Sequence, residues 1–137
     1  MPGSQPLTIF QVAGRAMSAQ LVRMNTTASN LANAGGTAST AEGAYRTMKP
    51  VFRTHIDQAT GLATVDVERI VQAGEAPTRR YDPSNPLADR DGNIYEAAVD
   101  ETRELVDMME TARAYQNNVE VMQTAKSLVI DTLKLGR

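Results

Sequence analysis

Few of the side chains that carry out protein chemistry are present in this 137-residue chain. Its single histidine, His55, sits in a stretch rich in β-formers and has no thiol to activate, because the chain contains no cysteine. The Ser and Asp residues fall into no recognisable nucleophile motif. The absence of cysteine also removes disulfides and thiolate metal sites, while leaving the redox compartment open. Gly35-Gly36 lacks the Lys-Ser/Thr that follows in a phosphate loop.

One segment comes nearer to a site. Asp89-Arg90-Asp91-Gly92-Asn93 begins like a calcium loop, in which alternate oxygen ligands converge on the ion and a glycine permits the sharp turn. Counted from Asp89, the glycine position holds Ile94, and the closing glutamate is replaced by Asp100. A plain β-turn is expected there. Met17, Met24, Met108, Met109 and Met122 are read as core and seam fillers, since thioethers pack adaptably between helices. No catalytic, cofactor-binding or metal-ligating residue is assigned. The chain is expected to be no enzyme, with no cofactor and no small-molecule substrate.

Charge narrows the partners further. Lys plus Arg number 14 and Asp plus Glu 16, a net charge of −2, without the basic excess of a nucleic-acid binder or of a protein held to an anionic membrane. No stretch approaches the roughly 18 consecutive apolar residues of a membrane span, so no direct membrane insertion is expected. The first residues lack the basic start and apolar core of a secretory signal peptide.

The sequence does organise helix surface. Hydrophobic residues make up 42% of the chain but aromatics only 4%, a composition suited to helix seams rather than to a deep aromatic pocket. Thr8 and Gln11 form a capping box, with Leu7 and Val12 at the staple positions. From there Phe10, Met17, Met24 and Leu31 repeat every seven residues, beside a second row of Gly14, Leu21 and Ala28. The helix should end near Asn33, where Gly35 and Gly36 can supply a left-handed cap. Residues 1–33 are therefore read as the N-terminal helical segment, and 34–44 as a small, polar, flexible connector.

Residues 45–98 combine β-formers (Val51-Phe52, Val65, Val67, Ile70, Val71) with turn signals at Thr60-Gly61, Asp82 to Pro86, and Asp91-Gly92-Asn93. They read as a small β-rich domain, with a short hairpin turning at Asp91-Gly92. Residues 99–137 form the second helical segment, starting at the N-cap Asp100. Its rows are Leu105, Ala112, Val119 and Leu133, then Met108, Tyr115, Met122 and Val129, with a further stripe through Ala114, Val121, Ala125, Leu128 and Leu135. Two seams on one helix imply more than one neighbour. The fold class expected is mainly α with a small β middle: long N- and C-terminal helices forming a coiled-coil pair around a short irregular β domain. So small a middle covers little helix surface. Either the two helices form an intramolecular hairpin, or the second seam also meets other chains.

The residues that identify a family are RAMSAQLVRMNTTASNLANA at 15–34, with ASNLANA at its centre, and ETARAYQNNVEVMQTAKSLVIDTLKLGR at 110–137. These resemble the terminal signatures of the flagellar axial proteins, the rod and hook family. YRTMKPVF at 45–52 and YDPSNPLADRDGNIYEAAVD at 81–100 resemble the short proximal-rod members of that family, and the connector GGTASTAEGA departs from it. The resemblance implies a structural subunit of the basal-body rod that polymerises through its terminal helices into a drive shaft crossing the periplasm. Its partners would be other copies, other rod proteins and the flagellar type III export apparatus, with no cleaved signal. The subunit-interface residues implied are Phe10, Met17, Leu21, Met24, Asn30, Leu31, Leu105, Met108, Tyr115, Val119, Val121, Met122, Leu128, Val129 and Leu133. The competing reading is a soluble coiled-coil adaptor or chaperone. Asn33 reads as a helix C-cap, and Asn30 and Asn33 alternatively as buried contacts that fix helix register.

Overall fold

The computed structural model describes residues 8–136, and in it two helices enclose a middle of five strands, two of them nine and ten residues long. Helix α1 (Ile9–Ala32) begins where the capping box was expected. The Thr8 hydroxyl accepts from the Gln11 N–H at 3.3 Å, and the Gln11 carboxamide accepts from the Thr8 N–H at 3.0 Å. Leu7, the partner of Val12 in the expected staple, lies outside the described residues. The far end differs from expectation. Neither Gly35 nor Gly36 is left-handed, and the positive-φ glycines described are Gly61, Gly74 and Gly92. Asn33 itself caps the helix, its Nδ2 donating to the Ser29 carbonyl at 2.8 Å. The chain then tightens through Ala34 N–H to Leu31 and Gly36 N–H to Asn33. A Cβ at 36 would lie 3.0 Å from the Asn33 carbonyl oxygen, a tight approach that glycine avoids.

Strand β1 (Thr37–Ala38) follows. Strands β2 (Met48–Ile56) and β3 (Ala63–Gln72) form an antiparallel hairpin, and β4 (Thr78–Tyr81) and β5 (Asn93–Glu96) complete a three-stranded sheet of order β1-β5-β4. The hairpin turn is built by Asp57, whose carboxylate accepts from Ala59 N–H and whose carbonyl accepts from Gly61 N–H. Residues 82–92 join β4 to β5, so the expected tight hairpin at Asp91-Gly92 is the closing turn of a longer loop. Within it Asp89 Oδ1 accepts from the N–H groups of Asp91 and Asn93, which commits the carboxylate of the calcium-like segment to its own turn. Ile94 is fully buried at the centre of the sheet.

Helix α2 (Glu101–Leu135) starts on Asp100, whose carboxylate accepts from Arg103 N–H at 3.1 Å, and ends at Gly136. Acidic residues at 101 and 104 and a lysine at 134 match the helix dipole at both ends. Helix α1 lies between α2 and the β2–β3 hairpin, packing on both.

Candidate assembly surface

The two helices run antiparallel, because ascending residues of α1 meet descending residues of α2. Arg23 and Thr27 bond Asp107, and Asn30 bonds Glu104. Their packing is polar at the end where α1 finishes and α2 begins. Asn30 is 1% exposed. Its Nδ2 donates to Glu104 Oε2 and to the Met48 carbonyl, both at 2.9 Å, and its Oδ1 accepts from the Met48 N–H at 2.9 Å and the Tyr45 hydroxyl at 2.7 Å. A carboxamide offers two donors and two acceptor lone pairs, and all four are used. Both roles considered for the signature asparagines are therefore occupied: Asn33 caps α1, and Asn30 is the buried cross-element contact.

One turn away, Asp107 pairs with the Arg23 guanidinium and accepts from the Thr27 hydroxyl at 3.0 Å. Burial alone would raise its carboxyl. The hydrogen bonds of Arg23 and Thr27, with the charges of Arg23 and Lys49, outweigh that and hold it below the ordinary carboxylate range. Thr111 and Thr26 are buried as well, each returning its hydroxyl to the carbonyl four residues earlier.

Glu104, Asp107, Thr27 and Thr111 escaped the apolar rows because hydropathy patterning assigns polar residues to the surface. A signal was present. Helix α1 contains Arg15 and Arg23 and no acidic residue, so any carboxylate partner must come from another element. Glu104, Thr111, Asn118 and Ala125 keep the seven-residue spacing along α2, the first two buried and the others half-buried.

The expected interface residues divide by position. Phe10, Met17, Met24 and Leu31 on α1 are half-buried, as are Met108, Tyr115, Val119 and Met122 on α2. Leu21 and Leu105 face solvent. Apart from Asn30, the rest lie from Val121 onward on α2. Ile9 shares a shallow groove with Asn117, Val121, Ala125 and Leu128, which sets the start of α1 beside that stretch. Helix α2 has 35 residues against 24 in α1, and among the described residues its last part has no helix beside it. Leu128, Val129, Thr132 and Leu133 line an open, mostly apolar depression there. Leu128 is 62% exposed, Leu133 69% and Leu135 87%. The total accessible surface is 9618 Å², where a compact monomer of this mass would present roughly 7,000 Å². No helix of the described residues is long and apolar enough to cross a membrane.

Comparison with known proteins places the sequence in a family. The family described as "Flagella basal body rod protein" matches residues 10–38, and "Flagellar basal body rod FlgEFG protein C-terminal" matches residues 90–135. These two matches cover α1 and α2. The flagellar basal-body rod protein FlgC of Salmonella typhimurium is 41% identical over 133 residues, spanning 96% of this chain and 98% of its own. FlgC of Yersinia enterocolitica is 41% identical over 132 residues, with the same coverage. FlgC of Agrobacterium fabrum is 33% identical over 128 residues, 91% of each chain. By full-length similarity, and by the helices that carry the matches, this chain belongs to the FlgC family of flagellar basal-body rod proteins.

Proposed function

We propose that this structural subunit of the flagellar basal-body rod lies in the proximal rod and polymerises through its terminal helices into the helical drive shaft that carries torque across the periplasm. The observation that carries the reading is the uncovered apolar end of α2 at Leu128, Val129, Leu133 and Leu135. Apolar surface in contiguous patches marks association. A stripe on one end of the molecule that meets a different surface of the next copy cannot close on itself, and repeats as an open helix. In this arrangement α1 and α2 extend into a coiled coil with neighbouring subunits on the inside of the tube, residues 34–44 connect, and residues 45–98 lie further out. The interface set is the one named from the sequence, with Asn30 and Met108 inside the subunit's own crossing and Val121, Leu128, Val129 and Leu133 turned to the neighbour. Export through the flagellar type III apparatus without a cleaved signal completes the proposal.

A single cysteine tests it, because the native chain has none. Leu128→Cys should react readily with a maleimide in the isolated subunit and become protected in purified basal bodies. Equal labelling in the two states would refute the assignment of this stripe to the neighbour contact.

A further inference from the structure

We propose that the Asn30 carboxamide is a joint that fixes the direction of the β2–β3 hairpin relative to the helix pair. The Thr47 carbonyl accepts from Ala73 N–H at 2.7 Å, on the side facing the partner strand. In an antiparallel ladder the next residue turns its own N–H and C=O the other way. Met48 does so, and Asn30 answers both groups, accepting from the N–H and donating to the carbonyl, each at 2.9 Å. The side chain thus behaves as one peptide unit of an absent third strand, presented by a helix.

The same planar group also holds α2 through Glu104 and the start of the domain through Tyr45. Four elements therefore meet on one side chain that has no rotational freedom left without losing a buried hydrogen bond. Farther along the hairpin, Arg15 reaches Thr64 at 3.5 Å and Asp66 at 3.3 Å. The Arg15–Asp66 half of that tie is about half exposed on both sides, with side-chain exposures of 45% and 51%, and exposed pairs of this kind hold weakly, whereas Thr64 is itself buried. The base at Asn30 sets the angle. From Met48 to the turn the strand spans roughly 26 Å, so a swing of about 10° at the joint displaces the tip by roughly 5 Å. A displacement of that size is enough to move the hairpin out of register with a neighbouring molecule.

The test uses the cysteine-free background. Spin labels at Thr60→Cys on the hairpin turn and Gln123→Cys on α2 should give one narrow distance in pulsed electron resonance. Asn30→Ala should broaden or shift that distance by roughly 5 Å, while a control pair inside α2 stays unchanged. An unaltered hairpin distance in the folded variant would overturn the proposal. A measurement on the native residue set does not depend on the variant folding. The Met48 amide should exchange at least about tenfold more slowly than the Thr60 amide at the hairpin turn, since its bond is to a buried, saturated group. Equal exchange rates would overturn the proposal by themselves.

Discussion

Replacing Glu104 by alanine should destabilise the subunit by about 2 kcal/mol, more than its position in the first turn of a helix would suggest. Two losses combine. Asn30 Nδ2 keeps its bond to Met48 but leaves its second hydrogen without an acceptor at a site 1% exposed, and a buried unsatisfied donor costs about 1–3 kcal/mol. The helix also loses a carboxylate at its positive end, worth about 0.3–1 kcal/mol. Open clefts border Glu104 on two sides, so water can enter beside the truncated side chain and repay part of the first loss. Glu104→Gln keeps the acceptor and the shape and gives up only the charge, so it should cost about 1 kcal/mol. Urea unfolding followed by helical circular dichroism reads the difference. With a slope of about 2 kcal/mol/M the alanine variant's midpoint should fall by about 1 M. Asn30→Ala completes a double-mutant cycle, and the two alanine changes should be coupled, because each removes the same bond. The reasoning fails if Glu104→Ala behaves like an ordinary surface change, within about 0.5 kcal/mol, or if the two costs simply add.

Asp107→Asn should remove stability at neutral pH and flatten the acid limb of the stability curve. The folded carboxyl is held below its ordinary value, so its contribution is present above the unfolded pKa and disappears as pH falls through the folded one, below about pH 4. The gap between native chain and variant should be constant above that range and shrink beneath it; a constant gap down to pH 2 would contradict the pairing with Arg23. Leu128→Asp should leave urea stability within about 0.5 kcal/mol, because the side chain is largely exposed, yet abolish rod assembly and motility. Met122→Asp, at a half-buried position on α2, should lower subunit stability by more than 1 kcal/mol as well as block assembly; motile cells with either variant would count against the proposed seams. Gly92→Ala should destabilise by about 1–3 kcal/mol, since φ is +79° and the new Cβ would stand 2.8 Å from the Tyr81 ring; a neutral result in thermal unfolding would mean that the loop relaxes freely.

The ends of this molecule were readable because their signals are local. A capping box needs only Thr8 and Gln11, and an N-cap needs only Asp100. The turn residues at Thr60-Gly61 and Asp91-Gly92 were also legible, as both glycines adopt positive φ. Hidden features depend on partners distant in sequence. Strand β2 runs through Pro50 and past a register shift between Val51 and Phe52, which breaks the alternation by which strands are recognised. Strand β1 is two small residues paired by backbone to Tyr95 and Glu96, and backbone pairing leaves no hydropathy pattern. Of the polar contacts between the helices only Asn30 was legible, as a possible buried contact; Glu104 and Asp107 look like surface residues until each is given its counterpart.

The irregularity in β2 matters for a protein made to assemble. A two-stranded ribbon leaves the outer edge of each strand without a ladder partner, and such an edge invites another strand to add. On β2 that edge is interrupted in several ways. Met48 is occupied by Asn30, Pro50 has no N–H to donate, and the ladder steps out of phase after Val51. No second chain can zip along its nine residues. A subunit that enters an assembly must avoid adhering to other copies in the wrong way, and the defects in this strand oppose sheet growth along the β2 edge.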